Sequence, residues 1–272
     1  MNEPAISCVV PTLNSAATLE ATLHSLRSQR GVRLEILVAD SGSTDETLAI
    51  CRRWDAPTIF VPPGNMYRAI NAGLKQMKGE WAFYLNSDDL IFEDSLARLI
   101  GAGRDTDVCY GNCDYLDFAG RFVYSFSAAR PANLLSLFRL RRMGFAQQTA
   151  IYRRSLFEEL GGFDETLRYR ADADFFIRAL LRGKRFRKLN GPSVACFRLH
   201  GNQFSNRGIA ETEAEAERIF GRPELRPGWR DRRTTIGWQI NNIPHYLIRI
   251  LRESTLSDRL RLPRAIEPYS HD

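Results

Sequence analysis

The sequence predicts an α/β protein with a mostly parallel central sheet flanked by helices and a helical appendix at the C-terminal end. Two observations predict the sheet: short apolar runs alternate with helical patterns over about the first hundred residues, and polar residues follow each run. The third observation is composition. A chain of 272 residues that is 44% hydrophobic and 26% charged can form a large folded core.

The elements of the first half follow from apolar runs and from the residues that interrupt them. An apolar run that begins at Ile6 ends at Pro11, and Leu19, Leu23 and Leu26 then recur at helical spacing. Later runs and helical patterns alternate in the same way. We predict strands at 6–10, 34–39, 58–61 and 81–85, and helices at 19–26, 43–53 and 68–77.

A helix start signal follows the second predicted strand. Ser43 and Glu46 have the spacing of a capping box, in which the two side chains each satisfy a free backbone N–H. We therefore predict that a helix begins there and runs to about Arg53.

The regular alternation of strand and helix patterns ends at about Arg104. We predict a hairpin that turns at Ala119 and Gly120, and a short helix capped by Ser155. Further strands are predicted at 108–111, 149–153 and 193–199, and helices at 172–181, 210–220 and 235–252, the last interrupted by Pro244. We expect one α/β domain over residues 1–208 and a helical extension over 209–272.

Composition excludes several classes of protein. No apolar run approaches the roughly 20 residues of a membrane span, and Glu3 stands where a secretory signal would be basic. We therefore expect a cytoplasmic protein. The net charge of +6 is too diffuse to predict a nucleic-acid partner. Five irregularly spaced cysteines indicate reduced core thiols.

Acidic residues follow two of the predicted strands. Asp40 follows the second strand, and Asp88 and Asp89 follow the fourth. Each has a local explanation, since Asp40 suits a turn and the other two suit a helix cap. Ligands of open parallel sheets bind outside the carboxyl ends of the strands, so acids at one edge favour a binding site.

The adjacent carboxylates of Asp88 and Asp89 repel each other unless a cation lies between them, which predicts Mg²⁺ or Mn²⁺. The carboxylate of Asp40 could accept hydrogen bonds from a nucleobase or a ribose. The sequence lacks the glycine-rich loops that hold phosphates in other nucleotide-binding folds. The phosphates of a bound nucleotide would therefore be held by metal and side chains.

Four ordered motifs carry a resemblance to a known family. They are Val-Val-Pro-Thr-Leu-Asn at 9–14, Asp-Ser-Gly-Ser-Thr-Asp at 40–45, Tyr-Leu-Asn-Ser-Asp-Asp at 84–89, and Gly-Gly-Phe-Asp-Glu at 161–165 followed by Arg-Ala-Asp-Ala-Asp-Phe at 170–175. Over about residues 5–205 the chain resembles family 2 glycosyltransferases, inverting enzymes with the Rossmann-like GT-A fold. The resemblance implies a nucleoside diphosphate sugar donor, a glycan or lipid-linked glycan acceptor, and Mn²⁺ or Mg²⁺.

The resemblance also implies donor-side roles. The residues expected to contact the nucleotide sugar are Pro11, Thr12, Asn14, Asp40, Arg68, Asn71, Asn86 and Asp88. Asn86 replaces the first acid of the family's D-x-D motif, which leaves Asp88, with Asp89 beside it, as the metal carboxylates. His200 is either a third metal ligand or an ordinary loop histidine.

On the acceptor side, Asp172 resembles the base that takes the proton of the acceptor hydroxyl, the local alternative being a helix cap. Asp164 and Glu165 resemble a loop that supports the acceptor. Asp174 is expected to be structural, bonded to Arg178 one turn later.

The implied function is metal-dependent transfer of a hexose in polysaccharide biosynthesis of the cell envelope, with a UDP-sugar as the family's most common donor. Two alternatives remain. A catalytically silent nucleotide- or glycan-binding protein of the same fold would tolerate Asn86. A sugar-1-phosphate nucleotidyltransferase is disfavoured, because residues 11–19 lack the basic side chains that hold a triphosphate.

The C-terminal segment lies outside the strong resemblance. Arginines such as Arg249 and Arg252 flank an apolar stripe that contains Trp238 and Tyr246. Three interpretations stay open: peripheral contact with anionic lipid at the inner face of the cell membrane, a packing helix with a solvated basic face, or a homodimer interface.

Overall fold

The computed structural model describes residues 5–117, 119–199 and 209–255. The strands are β1 (Ala5–Thr12), β2 (Arg33–Asp40), β3 (Thr58–Phe60), β4 (Trp81–Tyr84), β5 (Leu90–Ile91), β6 (Val108–Tyr110), β7 (Cys113–Asp117), β8 (Phe122–Phe126), β9 (Ala150–Arg153), β10 (Phe186–Lys188) and β11 (Ala195–Leu199). The helices are α1 (Leu19–Arg27), α2 (Thr47–Arg53), α3 (Met66–Gln76), α4 (Ser95–Ala102), α5 (Pro131–Arg139), α6 (Arg154–Glu159), α7 (Ala171–Leu181), α8 (Ile209–Phe220) and α9 (Trp229–Thr255).

Seven strands form the central sheet in the order β10-β6-β9-β4-β1-β2-β3. β1 pairs in parallel with β2 and β4, β2 with β3, and β6 with β10, while β9 runs antiparallel between β4 and β6. The predicted mostly parallel sheet is therefore confirmed. Because β1, β2 and β4 are neighbours with one direction, the loops after them leave the same edge of the sheet.

A smaller sheet has the order β5-β11-β7-β8. β7 and β8 form the predicted hairpin, and Gly120 in its turn has a φ of +76°, which a residue with a Cβ rarely adopts. β11 pairs in parallel with β7 and antiparallel with β5, which follows the loop after β4. The small sheet thus lies against one side of that loop.

One continuous core joins the central sheet to the C-terminal helices. Its largest side chains include Trp81, Tyr67 and Phe175, and it also takes in Ile219 of α8 and Trp238 of α9. Full burial of such a side chain contributes about 1.5–3 kcal/mol. The boundary that we predict at residue 208 falls outside the described residues, and the helices beyond it pack on the same core as the sheet.

Four elements have no counterpart in the sequence expectations: β5, β10, α4 and α5. The two strands have two and three residues, too few for an alternating pattern to develop. α5 begins with Pro131 at its first turn, where the missing N–H costs nothing. Short elements of this kind form because neighbouring elements supply their pairing and packing.

Two predicted helix starts are wrong. The Ser43–Glu46 capping box does not form, because Ser43 bonds to Asp40 instead and α2 begins only at Thr47. Asp45 takes over part of that role by accepting the Thr47 N–H at 3.0 Å. Ser155 lies inside α6, which begins at Arg154, and does not cap it.

Helix α9 continues through Pro244, which the sequence marks as an interruption. Across the described parts of the chain, no helix combines the length and apolar character that crossing a bilayer requires.

Candidate active site

Asp40 stands at the carboxyl end of β2 and is almost completely buried. One carboxylate oxygen accepts the backbone N–H groups of Gly42 and Ser43 at 2.9 and 3.0 Å. The other accepts the hydroxyls of Thr12, at 3.2 Å, and of Ser43. Asp40 therefore closes its own turn and ties that turn to the end of β1, and its contact with a nucleotide stays a prediction.

The loop after β1 is joined to the loop after β2 by further bonds. The Asn14 N–H donates to Ser43 Oγ at 2.8 Å, and Asn14 Oδ1 accepts the Thr44 N–H at 2.9 Å. Asn14 has a φ of +52°, a conformation that asparagine tolerates better than most residues. Pro11 lies within β1 and is buried, so of the predicted donor residues in this loop Asn14 is the exposed one.

The loop after β4 is joined to the same rim. The hydroxyls of Ser15 and Ser87 lie 2.8 Å apart. The buried hydroxyl of Thr22 on α1 contacts the carbonyl oxygens of Ser87 and Asp89 at 2.9 Å each. Three chain segments that are distant in sequence are thereby held at one edge of the sheet, as the sequence predicts for polar strand ends.

The two adjacent acids of this loop differ in environment. Asp88 is partly exposed, whereas Asp89 is fully buried. Burial raises the pKa of Asp89 well above its usual value, the charge of Asp88 adds to this effect, and Arg198 opposes it. Asp88 is therefore the more accessible carboxylate for a cation.

The residues of this loop fit a hard divalent cation. Asn86 Oδ1 and Asp89 Oδ1 are buried without a hydrogen-bond partner within the described residues. Mg²⁺ prefers oxygen ligands and commonly takes one or two carboxylates together with substrate phosphates. The predicted ligand His200 lies outside the described residues. Among the residues that are described, no cluster of three or more His, Cys, Asp or Glu side chains could hold a metal.

Arg198 is a buried side chain that the sequence analysis does not single out. Its Nε donates to the carbonyl oxygen of Asp88, and its Nη2 donates to the carbonyl oxygen of Thr18 at 3.0 Å. Burial lowers the pKa of Arg198, and the charge of Asp89 opposes that shift. Its position two residues before His200 in the predicted last strand is the only signal that could have drawn attention to it.

Asp172 is the second residue of α7 and is partly exposed. Its Oδ1 accepts the Ala173 N–H at 2.8 Å and the Tyr67 hydroxyl at 3.2 Å. Burial raises the pKa of Asp172 above its usual value, although these two bonds and the charge of Arg170 oppose the shift. A carboxylate with a raised pKa is a stronger base than an ordinary aspartate.

Two buried tyrosines connect Asp172 to the end of β4. The rings of Tyr67 and Tyr84 pack edge to face with their centroids 6.3 Å apart. Burial raises the pKa of both phenols well above the usual value, so both keep their protons at neutral pH. Asp172 is therefore linked to the strand that leads directly into the loop of Asp88. Neither tyrosine is predicted as a site residue. Tyr84 is the first residue of the motif at 84–89, whereas nothing in the sequence separates Tyr67 from core aromatics.

The acceptor-side loop that follows Gly162 is held by α3. Asn65 accepts the N–H groups of Tyr67 and Arg68 and so caps α3, while its amide nitrogen donates to the carbonyl oxygens of Glu165 and Leu167 at 2.7 and 3.0 Å. One side chain thereby fixes both the start of the helix and the loop beside it.

The predicted donor residues Arg68 and Asn71 face this same loop. Asn71 is buried and exchanges two hydrogen bonds with the backbone of Phe163 at 2.8 and 2.9 Å, and its amide nitrogen also donates to Glu165 at 2.9 Å. Arg68 lies 3.6 Å from the Glu165 carboxylate. Gly162 has a φ of +80°, and a Cβ there would lie 2.8 Å from Asn71 Oδ1. Contact of Arg68 and Asn71 with a nucleotide stays a prediction.

The other two acids near Asp172, Asp164 and Asp174, both have hydrogen-bond or ion-pair partners. Asp164 accepts the backbone N–H and the hydroxyl of Thr166 at 2.9 and 2.6 Å. Asp174 is buried and pairs with Arg178 at 2.6 Å, so the predicted structural pair is confirmed. Asp174 also pairs with Arg222 at 2.6 Å, a partner that lies too far along the chain to be predicted from helical spacing.

The mixed α/β fold, with its rim of strand-end loops, is of the GT-A class, and comparison with known proteins agrees. The model of glycosyl transferase family 2 matches residues 7–161, more than half of the chain. The chain therefore belongs to glycosyltransferase family 2, and it is a glycosyltransferase.

The curated relatives include proteins that are named for biosynthesis. A PGL/p-HBAD biosynthesis glycosyltransferase of Mycobacterium tuberculosis is 33% identical over 194 residues, which cover 65% of this chain and 70% of the relative. The succinoglycan biosynthesis protein ExoO of Rhizobium meliloti is 30% identical over 208 residues, 68% of this chain and 60% of the relative.

Solved structures share the fold. Staphylococcus aureus TarS 1–349 in complex with UDP-GlcNAc matches with a TM-score of 0.62 and 21% identity, over 95% of this chain and 76% of that one. The match to a longer TarS chain covers 44% of that chain. The mannosyltransferase PcManGT of Pyrobaculum calidifontis, in complex with GDP-Man and Mn²⁺, matches with a TM-score of 0.57 and 16% identity, over 93% of this chain and 85% of that one.

Proposed function

We propose that this glycosyltransferase moves a sugar from a UDP-sugar to a hydroxyl of a glycan or lipid-linked glycan, with inversion and with Asp172 as the base. The observation that carries the proposal is the carboxylate of Asp172, which has a raised pKa and is bonded to Tyr67 beside the strand that leads into the loop of Asp88. Transfer from a diphosphate sugar to an alcohol requires a base for the acceptor proton and positive charge that stabilises the leaving diphosphate.

The base step follows from the two oxygens of Asp172. Oδ1 already accepts the Tyr67 hydroxyl and the Ala173 N–H, so we assign Oδ2 to the proton of the acceptor. The acceptor oxygen forms a bond to the anomeric carbon as the bond to the diphosphate breaks on the opposite face, and its proton passes to Asp172. Tyr67 keeps its own proton and stabilises the carboxylate before the transfer.

The donor side of the proposal uses the rim. Asn14 and the turn closed by Asp40 form a rigid edge against which the nucleotide lies. Asp88 and the amide oxygen of Asn86 would hold Mg²⁺ or Mn²⁺, with Asp89 and His200 as the further ligands that the family resemblance suggests. A divalent cation there supplies charge that stabilises the leaving diphosphate. The structural relative PcManGT was solved in complex with GDP-Man and Mn²⁺, which supports a divalent cation in this fold.

Titration calorimetry with nucleoside diphosphates, triphosphates and Mn²⁺ tests the proposal. We expect UDP to bind in a metal-dependent manner and Asp88→Ala to lose that dependence, because the accessible carboxylate is removed. The exposed Asp105→Asn, an acid outside the loop after β4, serves as the comparison and should keep it. A preference for triphosphates would favour a nucleotidyltransferase, and binding that ignores the metal would favour a catalytically silent binding protein.

The donor sugar is tested by a hydrolysis panel of UDP-, GDP- and dTDP-sugars. We expect the fastest release of nucleotide from a UDP-sugar. Faster hydrolysis of a GDP- or dTDP-sugar would contradict the donor that we propose, and would leave the family unchanged.

The exposed face of α9 supports peripheral membrane contact. Asp231, Thr235, Trp238 and Asn242 recur at helical spacing and are buried against the core. Five large apolar side chains on the opposite face are 46–64% exposed. They are Trp229, Ile236, Ile240, Ile243 and Leu247. An amphipathic helix of this kind binds the interface of a bilayer.

The charges beside this apolar face favour anionic lipid over a second copy of the chain. The exposed Arg232 and Arg233 flank the stripe, and the guanidinium of Arg233 lies 5.9 Å from the ring of Trp229. Two copies of the face would bring like charges together, whereas phosphatidylglycerol offers the opposite charge.

Co-sedimentation with vesicles tests this membrane contact. We expect binding to vesicles that contain phosphatidylglycerol, loss of binding in Ile236→Asn/Ile240→Asn, and unchanged binding in the exposed control Thr58→Asn. Equal sedimentation of the double variant, or a concentration-dependent dimer that the double variant abolishes, would contradict it.

A further inference from the structure

Helix α8 lies beyond the segment that the family model matches. It nevertheless forms hydrogen bonds with residues 168–170, which immediately precede α7 and Asp172. The carboxylate of Glu215 accepts three consecutive backbone N–H groups, from Arg168 at 2.6 Å, Tyr169 at 2.9 Å and Arg170 at 3.0 Å. Hydrogen bonds to an ionised oxygen are shorter and stronger than those between neutral groups. A single side chain of α8 therefore fixes the backbone immediately before α7.

Other residues of α8 and of the turn after it contact both sides of Asp172. The guanidinium of Arg170 donates to the carbonyl oxygen of Thr212 at 3.1 Å. Arg218 donates to the hydroxyl of Thr166 at 2.6 Å, and Arg222 pairs with Asp174 at 2.6 Å. The contacts span the acceptor-side loop and the first turn of α7, so α8 covers the whole segment that presents the base.

A short chain of bonds leads from Glu215 to the carboxylate of Asp172. Tyr169 donates its N–H to Glu215, and its carbonyl oxygen lies 3.3 Å from the Tyr67 hydroxyl. The same hydroxyl lies 3.2 Å from Asp172 Oδ1. Arg170, whose N–H also bonds Glu215, carries a charge that acts on Asp172. Movement of the segment 168–170 would therefore displace the Tyr169 carbonyl oxygen that the Tyr67 hydroxyl contacts, and it would displace Arg170 as well.

We propose that Glu215 is a positioning residue for glycosyl transfer, whose carboxylate fixes the segment 168–170 so that Asp172 Oδ2 is presented to the acceptor hydroxyl. The inference rests on the proposed role of Asp172 as the base. Glu215 belongs to the C-terminal extension, which lies outside the four sequence motifs. The extension would therefore contribute to positioning the base.

The test compares Glu215→Gln with Glu217→Gln. Gln keeps the length of the side chain but places an N–H₂ group against three N–H donors. Glu217 is a matched control on the same helix, since it is exposed and pairs with Arg141 at 2.6 Å, away from the segment 168–170. The assay measures nucleotide release from the sugar donor that the panel hydrolyses fastest, with water as the acceptor.

We expect Glu215→Gln to lower kcat by about 10- to 100-fold, as displacement of a reacting group by about 1 Å does. The KM for the donor should stay near that of the unaltered chain, whereas the melting temperature should fall, because three N–H groups lose an ionised acceptor. Glu217→Gln should leave kcat and KM unchanged. In an Asp172→Asn background, Glu215→Gln should cause no further loss, because the two residues act as one unit.

Three outcomes would overturn the inference: an unchanged kcat, a loss of donor affinity equal to the loss of kcat, or an additive loss in the double variant. Should Glu215→Gln fail to fold, Glu215→Asp keeps the charge with one methylene fewer, and a full kcat in this variant would also overturn it. If Asp172→Asn retains kcat, the proposed function fails as well. If only Glu215→Gln retains it, the positioning role fails alone.

Discussion

At the scale of single residues, acids of similar appearance in the sequence have different environments in the fold. Asp40 and Asp164 accept hydrogen bonds from neighbouring residues of their own loops. Asp174 is buried and pairs with two arginines. Asp89 is buried within the loop after β4. Asp172 combines partial exposure with a raised pKa and a protonated tyrosine as its partner. That combination distinguishes a candidate base from the acids that build loops.

The first prediction concerns Asp172→Asn. The change removes the base but keeps the size of the side chain, so we expect transfer to fall by about 10²–10⁴-fold, the usual contribution of a general base. The affinity for UDP, measured by calorimetry, should change by no more than a few-fold, because Asp172 is not among the residues that we propose to hold the donor. Loss of UDP binding would contradict this role.

The second prediction concerns the pH dependence of transfer. Because the Asp172 pKa is raised, the acid limb of the rate profile should lie above the range of an ordinary aspartate. The Tyr67 hydroxyl lowers that pKa, so Tyr67→Phe should raise it and move the acid limb to higher pH. Single-turnover rates as a function of pH measure both effects.

Tyr152→Phe is the matched control for Tyr67→Phe. Tyr152 is equally buried in the same aromatic core, and its hydroxyl has no hydrogen-bond partner within the described residues. We expect its removal to leave the acid limb in place. A shift of equal size in both variants would show that the effect does not pass through Asp172.

At the scale of elements, helix starts and strand ends organise the site through side chains that serve two segments at once. Asn65 caps α3 and holds the acceptor-side loop, Thr22 of α1 holds the loop after β4, and Glu215 of α8 holds the start of α7. Asn65 lies at a helix start, whereas Thr22 and Glu215 lie within their helices. Each of the three satisfies backbone groups that would otherwise lose hydrogen bonds on burial.

The third prediction concerns Asn65→Ala. Loss of an N-cap costs about 1 kcal/mol, and loss of the bonds to Glu165 and Leu167 adds a cost of similar size. We expect urea denaturation to show a free energy of unfolding lower by about 1–3 kcal/mol. The exposed Asn190→Ala serves as the control and should leave stability unchanged; an equal loss in both would contradict the double role of Asn65.

At the scale of the whole molecule, the C-terminal helices belong to the folded core. Trp238 and Leu225 are buried in the same cluster as the central sheet. Asp231 accepts the Ser136 hydroxyl of α5 at 2.7 Å, and burial would raise the Asp231 pKa, but this bond, the Gly228 N–H and Arg139 together hold it below the usual value. The described part of the predicted extension, residues 209–255, therefore packs on the domain that precedes it and stabilises it.

The fourth prediction concerns a chain that ends at Gly228. Removal of α9 exposes the surface that Trp238 covers, so we expect a lower melting temperature, with a loss of stability of about 3–5 kcal/mol from this tryptophan alone. Calorimetric melting measures it. An unchanged melting temperature would show that α9 contributes nothing to the core, and the deletion would then be a clean test of vesicle binding as well.

The sequence by itself determined the mostly parallel sheet, the segments that form its first strands and the polar residues that follow them. Hydrophobic periodicity and the residues that interrupt it are local properties of the chain. It also carried the motifs that identify the family. Only the tertiary structure decided which acid is buried, that Asn71 and Arg68 face the acceptor-side loop, and that Tyr67, Arg198 and Glu215 surround the site. Those facts depend on contacts between residues tens of positions apart, and burial and pKa arise from such contacts rather than from the residue type.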